Sequence, residues 1–230
     1  MALYALADLH LSISTGKTMG VFSGWADYEN RIRSNWQRLV TDSDTVILPG
    51  DISWCMDMEK GLADFEFLNS LPGRKIILKG NHDYWWATVK KCNDFFMKHG
   101  FENMFVLFNN AYECGNVAVC GTRGWFFDAE SDADKKIVLR ECGRLRASIA
   151  AAKNTGKEPV VFLHYPPVSI EKKCSEIYDV LLSEGIKRCY YGHLHSYAHC
   201  TAFIGKDENG IDFNLVSADY LGFCPKFIPE

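Results

Sequence analysis

Five times along this chain a short apolar run ends in a compact polar motif, and segments of helical periodicity separate most of these runs. The motifs are Asp8-Leu9-His10, Gly50-Asp51, Gly80-Asn81-His82-Asp83, His164 and Gly192-His193-Leu194-His195, and they hold five of the seven histidines. Buried strands that alternate with helices make parallel sheets, and open α/β sheets collect ligands beyond the carboxyl ends of their strands. The pattern therefore predicts a layered α/β fold whose polar motifs converge at one edge of one sheet.

The spacing predicts strands over residues 3–7, 45–48, 75–78, 104–108, 117–120, 160–163 and 188–191. Tyr28, Ile32, Trp36 and Leu39 fall on one face of a helix, as do Leu62, Phe65, Leu68 and Leu71, and then Val138, Cys142, Leu145 and Ile149. Ile177, Val180 and Leu181 mark a shorter helix with Ser175 as its expected cap. Asn209-Gly210 is a hairpin signal between residues 201–204 and 211–216. No repeat or linker divides the chain, so residues 1–230 are expected to form one domain.

Hydrophobic residues at 47% and charged residues at 23% suit a globular protein. A net charge of −4 offers no basic footprint, so tight binding of duplex nucleic acid is not expected. None of the nine cysteines forms a C-x-x-C pair, which argues against a thiolate zinc site and for a reducing compartment. No stretch reaches the roughly 18 apolar residues of a membrane span. Residues 1–11 lack a basic region and Asp8 interrupts their apolar run, so no signal peptide is read there and the expected location is cytoplasmic.

Asp8, His10, Asp51, Asn81, His164, His193 and His195 are seven oxygen and nitrogen donors. Asp8/His10 and His193/His195 are i,i+2 pairs, which on extended backbone point to the same side. Seven donors exceed the needs of one ion and suit two ions sharing a carboxylate, for which Asp51 is the natural bridge. Imidazole with carboxylate favours Mn, Fe or Zn, whereas Mg prefers all-oxygen surroundings.

In order and content the five motifs resemble those of the calcineurin-like metallophosphoesterases, which read approximately D-x-H, G-D, G-N-H-[ED], H and G-H-x-H. The resemblance spans Asp8 to His195. It implies a β-sandwich flanked by helices on both sides, a four-layer αββα arrangement. It also implies one ion on Asp8, His10, Asp51 and His195 and a second on Asp51, Asn81, His164 and His193. His82 would assist the leaving group, with Asp83 orienting it, and Asp83 could equally cap a helix opening near Tyr84. The implied reaction is hydrolysis of a phosphomonoester or phosphodiester on a small phosphorylated substrate, by in-line attack of a hydroxide that bridges the two metals.

One branch of that family, the protein serine/threonine phosphatases, carries G-D-x-x-D-R-G and an arginine before its G-N-H-E block. Here the corresponding stretches are Gly50-Asp51-Ile52-Ser53-Trp54-Cys55 and Leu78-Lys79-Gly80, so both arginines are missing. Arg123, in the turn Gly121-Thr122-Arg123-Gly124, is either a substitute phosphate clamp or a turn residue. Trp54 and Trp125 are wall candidates, and the loop over residues 12–24, with Lys17, is either part of a substrate mouth or plain surface. Tyr84, Trp85 and Trp86 are read as core rather than as a stacking platform. His199 is either a packing residue or a support behind the ligands, and Ser217-Ala218-Asp219 ends a strand that could reach the site but is not counted as part of it. Alternatives to the hydrolase are a non-catalytic metal-binding scaffold of the same fold and a nuclease on short oligonucleotides. A scaffold would be expected to have lost His82 or several ligands, and all are present.

Overall fold

The computed structural model describes residues 1–17, 19–125 and 131–230. In chain order its elements are β1 (Leu3–Ala5), α1 (Tyr28–Leu39), β2 (Thr45–Pro49), α2 (Leu62–Ser70), β3 (Arg74–Leu78), α3 (Val89–Lys98), β4 (Met104–Val106), β5 (Tyr112–Cys114), β6 (Val117–Thr122), α4 (Asp132–Lys153), β7 (Glu158–Leu163), α5 (Ser175–Ser183), β8 (Arg188–Tyr191), β9 (Gly205–Lys206), β10 (Asp212–Leu215) and β11 (Lys226–Ile228). Short 3-10 turns cover Met19–Val21 and Ser196–Thr201.

The strands form two sheets, of order β11-β1-β2-β3-β4 and β5-β6-β7-β8-β10-β9. Strands β1 to β4 run parallel, as do β6, β7, β8 and β10, while β11, β5 and β9 pair antiparallel at or near the edges. Alternating side chains split each strand between two cores. Ile47, Ile76, Val119 and Phe162 fill the space between the sheets. Val46, Leu48 and Ile77 face Ile32, Trp36, Phe65 and Phe95 of the first helical layer. Cys120, Val161 and Leu163 face Val138, Leu145, Ile149 and Leu181 of the second. The result is the expected four-layer α/β sandwich.

Several expectations need correction. The motifs do not share one sheet: Asp8, Asp51 and Asn81 follow strands of the first, and His164 and His193 follow strands of the second. No helix opens near Tyr84, since α3 begins five residues later and Thr88 caps it, its hydroxyl accepting the Lys91 N–H at 3.2 Å. Ser175 is the first residue of α5, whose cap position is Cys174. Residues 196–201 form a 3-10 turn, so the hairpin around Asn209-Gly210 is confined to β9 and β10. Among the described residues, no helix is long and apolar enough to cross a membrane.

Beyond the strands, Ala7 bridges Ser217, with Ala7 N donating to Val216 O and Ala218 N donating to Ala7 O. This seam ties the outgoing end of β1 to the segment after β10. It brings Asp219 up to the carboxyl edge shared by both sheets.

Candidate metal centre

The five motifs meet where the carboxyl ends of the two sheets face each other. Asp8, His10 and His195 form one cluster, and Asp51, His164 and His193 form another, the ligand atoms of each lying within 4.8 Å of one another. Asn81 joins the second, its Oδ1 standing 2.6 Å from His164 Nε2 and 3.0 Å from His193 Nδ1. Asp51 Oδ2 lies between the clusters, 3.8 Å from His10 Nε2 and 3.6 Å from His164 Nε2.

The backbone departs from the extended form assumed for the i,i+2 pairs. Asp8, His10, Asp51 and His193 all have left-handed φ, between 46° and 73°. Such backbone costs a non-glycine residue on the order of 1–3 kcal/mol, and it persists where surroundings enforce it. Two motif glycines are required by close approach: a Cβ at Gly80 would lie 2.1 Å from Asp51 Oδ1, and one at Gly192 would lie 2.4 Å from Asp8 Oδ2.

Each carboxylate is tethered by one oxygen only. Asp8 Oδ2 accepts the His193 N–H and Asp51 Oδ1 accepts the His82 N–H, both at 2.8 Å. Among the described residues, their other oxygens, Asp8 Oδ1 and Asp51 Oδ2, are buried and have no hydrogen-bond partner. They face ring nitrogens instead, with His195 Nε2 3.5 Å from Asp8 Oδ1. His164 Nδ1–H donates to the Pro49 carbonyl at 3.0 Å, which leaves the Nε2 lone pair pointing at Asn81 Oδ1. Acceptors turned toward one another around orphaned carboxylate oxygens are the chemistry of a cation site. The donor set thus fits two metal ions, one at each cluster, with Asp51 Oδ2 within 4 Å of a histidine nitrogen of either.

The charges in the metal-free protein are distributed accordingly. Burial, and then the Asp8 charge, push the Asp51 carboxyl up to about 8. Burial alone would raise Asp8, but His195, His164 and His10 bring it well below the usual carboxylate range. Burial lowers His10, His164 and His193, the last to about 3, so these rings are neutral. For His195 burial is outweighed by Asp8 and Asp219, which carry it up to about 10.

Around the ligands, Asp219 Oδ1 lies 3.1 Å from His195 Nδ1 and 3.2 Å from His199 Nε2. A carboxylate behind a metal-binding histidine fixes its ring and tautomer. Trp54 stacks on His10 at 4.9 Å between centroids and lies 4.6 Å from His82. Lys17 Nζ sits 3.4 Å over the Trp54 ring, on the tryptophan that stacks on His10. Trp25, which sequence reasoning passed over, is buried edge-on to both His10 and His195. No periodicity marks it.

The expected partnership between Asp83 and the His82 ring does not appear among the described hydrogen bonds. His82 Nδ1 lies 3.3 Å from the Tyr84 hydroxyl. Asp83 is buried and accepts the N–H groups of Gly80 (2.7 Å), Ile52 (2.8 Å), Asp51 (2.9 Å) and Ser53 (3.4 Å), with the Trp85 indole at 2.9 Å. It binds the Gly50-Asp51 loop to the Gly80-Asn81 loop. Arg123 stands over the Trp125 ring at 4.7 Å, and its carbonyl accepts the N–H of His164.

Residues 1–197 match the family model described as calcineurin-like phosphoesterase. The chain belongs to that family. No curated protein matches it. Among solved structures, a protein of unknown function from Aquifex aeolicus is similar at 17% identity and a TM-score of 0.57, with 98% of this chain and 95% of that one covered. A phosphopantetheinyl hydrolase from Mycobacterium tuberculosis is similar at 13% identity and a TM-score of 0.54, with 100% of this chain and 96% of that one covered. At these identities both likenesses concern the fold. Membership of the calcineurin-like phosphoesterases makes this chain a metal-dependent phosphoesterase at family level.

Proposed function

We propose that this calcineurin-like phosphoesterase hydrolyses a small phosphomonoester or phosphodiester with two transition-metal ions, Mn, Fe or Zn. The observation that carries this reading is the pair of buried carboxylate oxygens, Asp8 Oδ1 and Asp51 Oδ2, left without hydrogen bonds among histidine nitrogens. Asp8, His10, Asp51 and His195 would hold one ion, and Asp51, Asn81, His164 and His193 the other. Bound there, the ions would supply an activated water nucleophile and an electrostatic clamp on the phosphoryl oxygens.

The chain's own residues do the rest. Asp83 and Asp219 hold the ligand loops and the His195 ring in place, and Trp25 and Trp54 exclude water from one wall. His82 is half-buried at the rim, and burial, then His164, lower its pKa. The negative charge of a phosphate ester beside it would raise that pKa again, so that His82 takes a proton from solvent when substrate binds and gives it to the departing ester oxygen. Arg123 is assigned to substrate binding. Free cysteines throughout the chain are consistent with a reducing, cytoplasmic setting.

The test is turnover of p-nitrophenyl phosphate and bis-p-nitrophenyl phosphate, then of a nucleotide panel, by protein reconstituted with Mn, Fe, Ni, Co or Zn. Activity with at least one metal is expected. No turnover with any of them would transfer the chain to the non-catalytic scaffold reading.

A further inference from the structure

Beside the metal centre, at the same carboxyl edge, lies a second cavity of about 450 Å³ between the ends of β3, β4 and β6. Among the described residues its lining is basic: Lys79, Arg123, Arg140 and Arg144, against the one carboxylate of Glu141. That carboxylate is already engaged, since Glu141 is buried and accepts Thr122 Oγ1 at 2.5 Å and Arg144 Nη1 at 2.6 Å. Arg144 is thereby neutralised. Among the described residues, no carboxylate pairs with Lys79, Arg123 or Arg140. Arg123 Cζ lies 4.7 Å from the centre of the Trp125 ring, a cation–π contact that a guanidinium can keep while its N–H groups donate to an anion.

Among the described residues, three cations without a carboxylate partner therefore line one cavity in a chain of net charge −4. Burial, and then the nearby charges of Arg123 and Arg144, lower the pKa of Lys79, which makes the cavity a favourable place for an anion. The cavity also adjoins the ligand residues along the chain. Lys79 stands two residues before Asn81, a span of at most about 7 Å of chain, and the Arg123 carbonyl holds the N–H of His164 and of Tyr165.

We propose that this pocket is a subsite for a second phosphate, so that the preferred substrate is an ester carrying two phosphate groups. One would be cleaved at the metals and the other held by Lys79, Arg123 and Arg140. The assignment rests on the hydrolase reading above and narrows its substrate class. It also accounts for a chain that lacks the two arginines of the protein phosphatase branch yet keeps a cluster of cations one loop away.

The experiment uses metal-loaded protein and a series of α,ω-alkanediol bisphosphates from propanediol to octanediol. Each is set against the alkyl monophosphate of equal length, with phosphate release as the assay. At the best length kcat/KM for the bisphosphate is expected to exceed that for the monophosphate by at least about tenfold, as one or two charge-assisted contacts would give. The gain should reside in KM, and the double variant Lys79→Gln/Arg140→Gln should bring the ratio close to one. Equal rates at every length, or a preference that survives in the double variant, overturn the proposal. Should neither ester class turn over with any metal, the hydrolase reading fails by itself. The pocket is then judged by calorimetric titration of inorganic pyrophosphate: at least about tenfold weaker binding to the double variant supports it, and equal affinity overturns it.

Discussion

Asp83 Oδ2 accepts the backbone N–H of Asp51 at 2.9 Å, so one buried carboxylate fixes the backbone that carries Asp51. Its other bonds go to Gly80, Ile52, Ser53 and the Trp85 indole. Asp83→Ala would strand several buried donors, each worth about 1–3 kcal/mol. Thermal unfolding of the metal-free variant should show a loss of more than about 3 kcal/mol, together with loss of bound metal. A variant of native stability that had lost only turnover would return Asp83 to a role on His82.

His82→Ala should retain its full metal content, because the ring contributes to neither cluster. Turnover of an ester with a poor leaving group is expected to fall by about 10²–10⁴, the usual worth of general acid catalysis. Metal analysis beside the kinetics decides the matter: undiminished rates on an alkyl phosphate would remove His82 from the reaction.

Asp219→Asn takes the carboxylate away from His195 Nδ1 while conserving shape. Partners of this kind are worth about 10–100-fold in metal affinity. Competition with a chromophoric chelator should reveal such a loss for one of the two ions, with the other nearly unaffected. Equal weakening of both would contradict the division into two clusters.

Loading with metal should release protons. In the metal-free protein Asp51, near 8, and His195, near 10, both hold a proton at pH 7, and each must give it up to bind an ion. Affinity should therefore rise with pH between 6 and 8, by about tenfold per unit for each proton released. Calorimetry in buffers of different ionisation enthalpy counts those protons, and a pH-independent affinity would show that the ligands are already deprotonated.

Lys75 provides a pH effect remote from the metals. Its side chain is fully buried, with Nζ donating to the carbonyls of Leu71 and Gly73, and burial pushes the ammonium down to about 8. Between pH 8 and about 10.4 the unfolded chain holds a proton that the folded chain has lost, so stability from this group rises with pH across that window. Urea unfolding of wild type and Lys75→Met should show a difference that grows in favour of wild type over that range. A constant difference would place the Lys75 pKa at its ordinary value.

The motifs and central strands were legible in the sequence because each is local: an apolar run, then a polar turn. Runs such as residues 45–48 and 160–163, apolar on both faces, carry no mark of which sheet they join, so two sheets looked like one. The edge strands Tyr112–Cys114 and Lys226–Ile228 were not seen at all. They are short, and the latter owes its pairing to a partner at the opposite end of the chain. The i,i+2 argument put the right residues together for the wrong reason, since left-handed turns at Asp8, His10 and His193 do what extended backbone was expected to do. The support of Asp83 for two loops could not be read from spacing, because its partners are backbone groups about 30 residues away.

Each cluster draws ligands from both sheets, and the ring nitrogens of His10 and His195 stand 3.1 Å apart across 185 residues of chain. No fragment that stops short of His195 can assemble either the first cluster or the seam beside it. Both candidate ligand clusters therefore depend on the second sheet being in place beside the first. Completion of either cluster thus reports that the two sheets have met in the native arrangement.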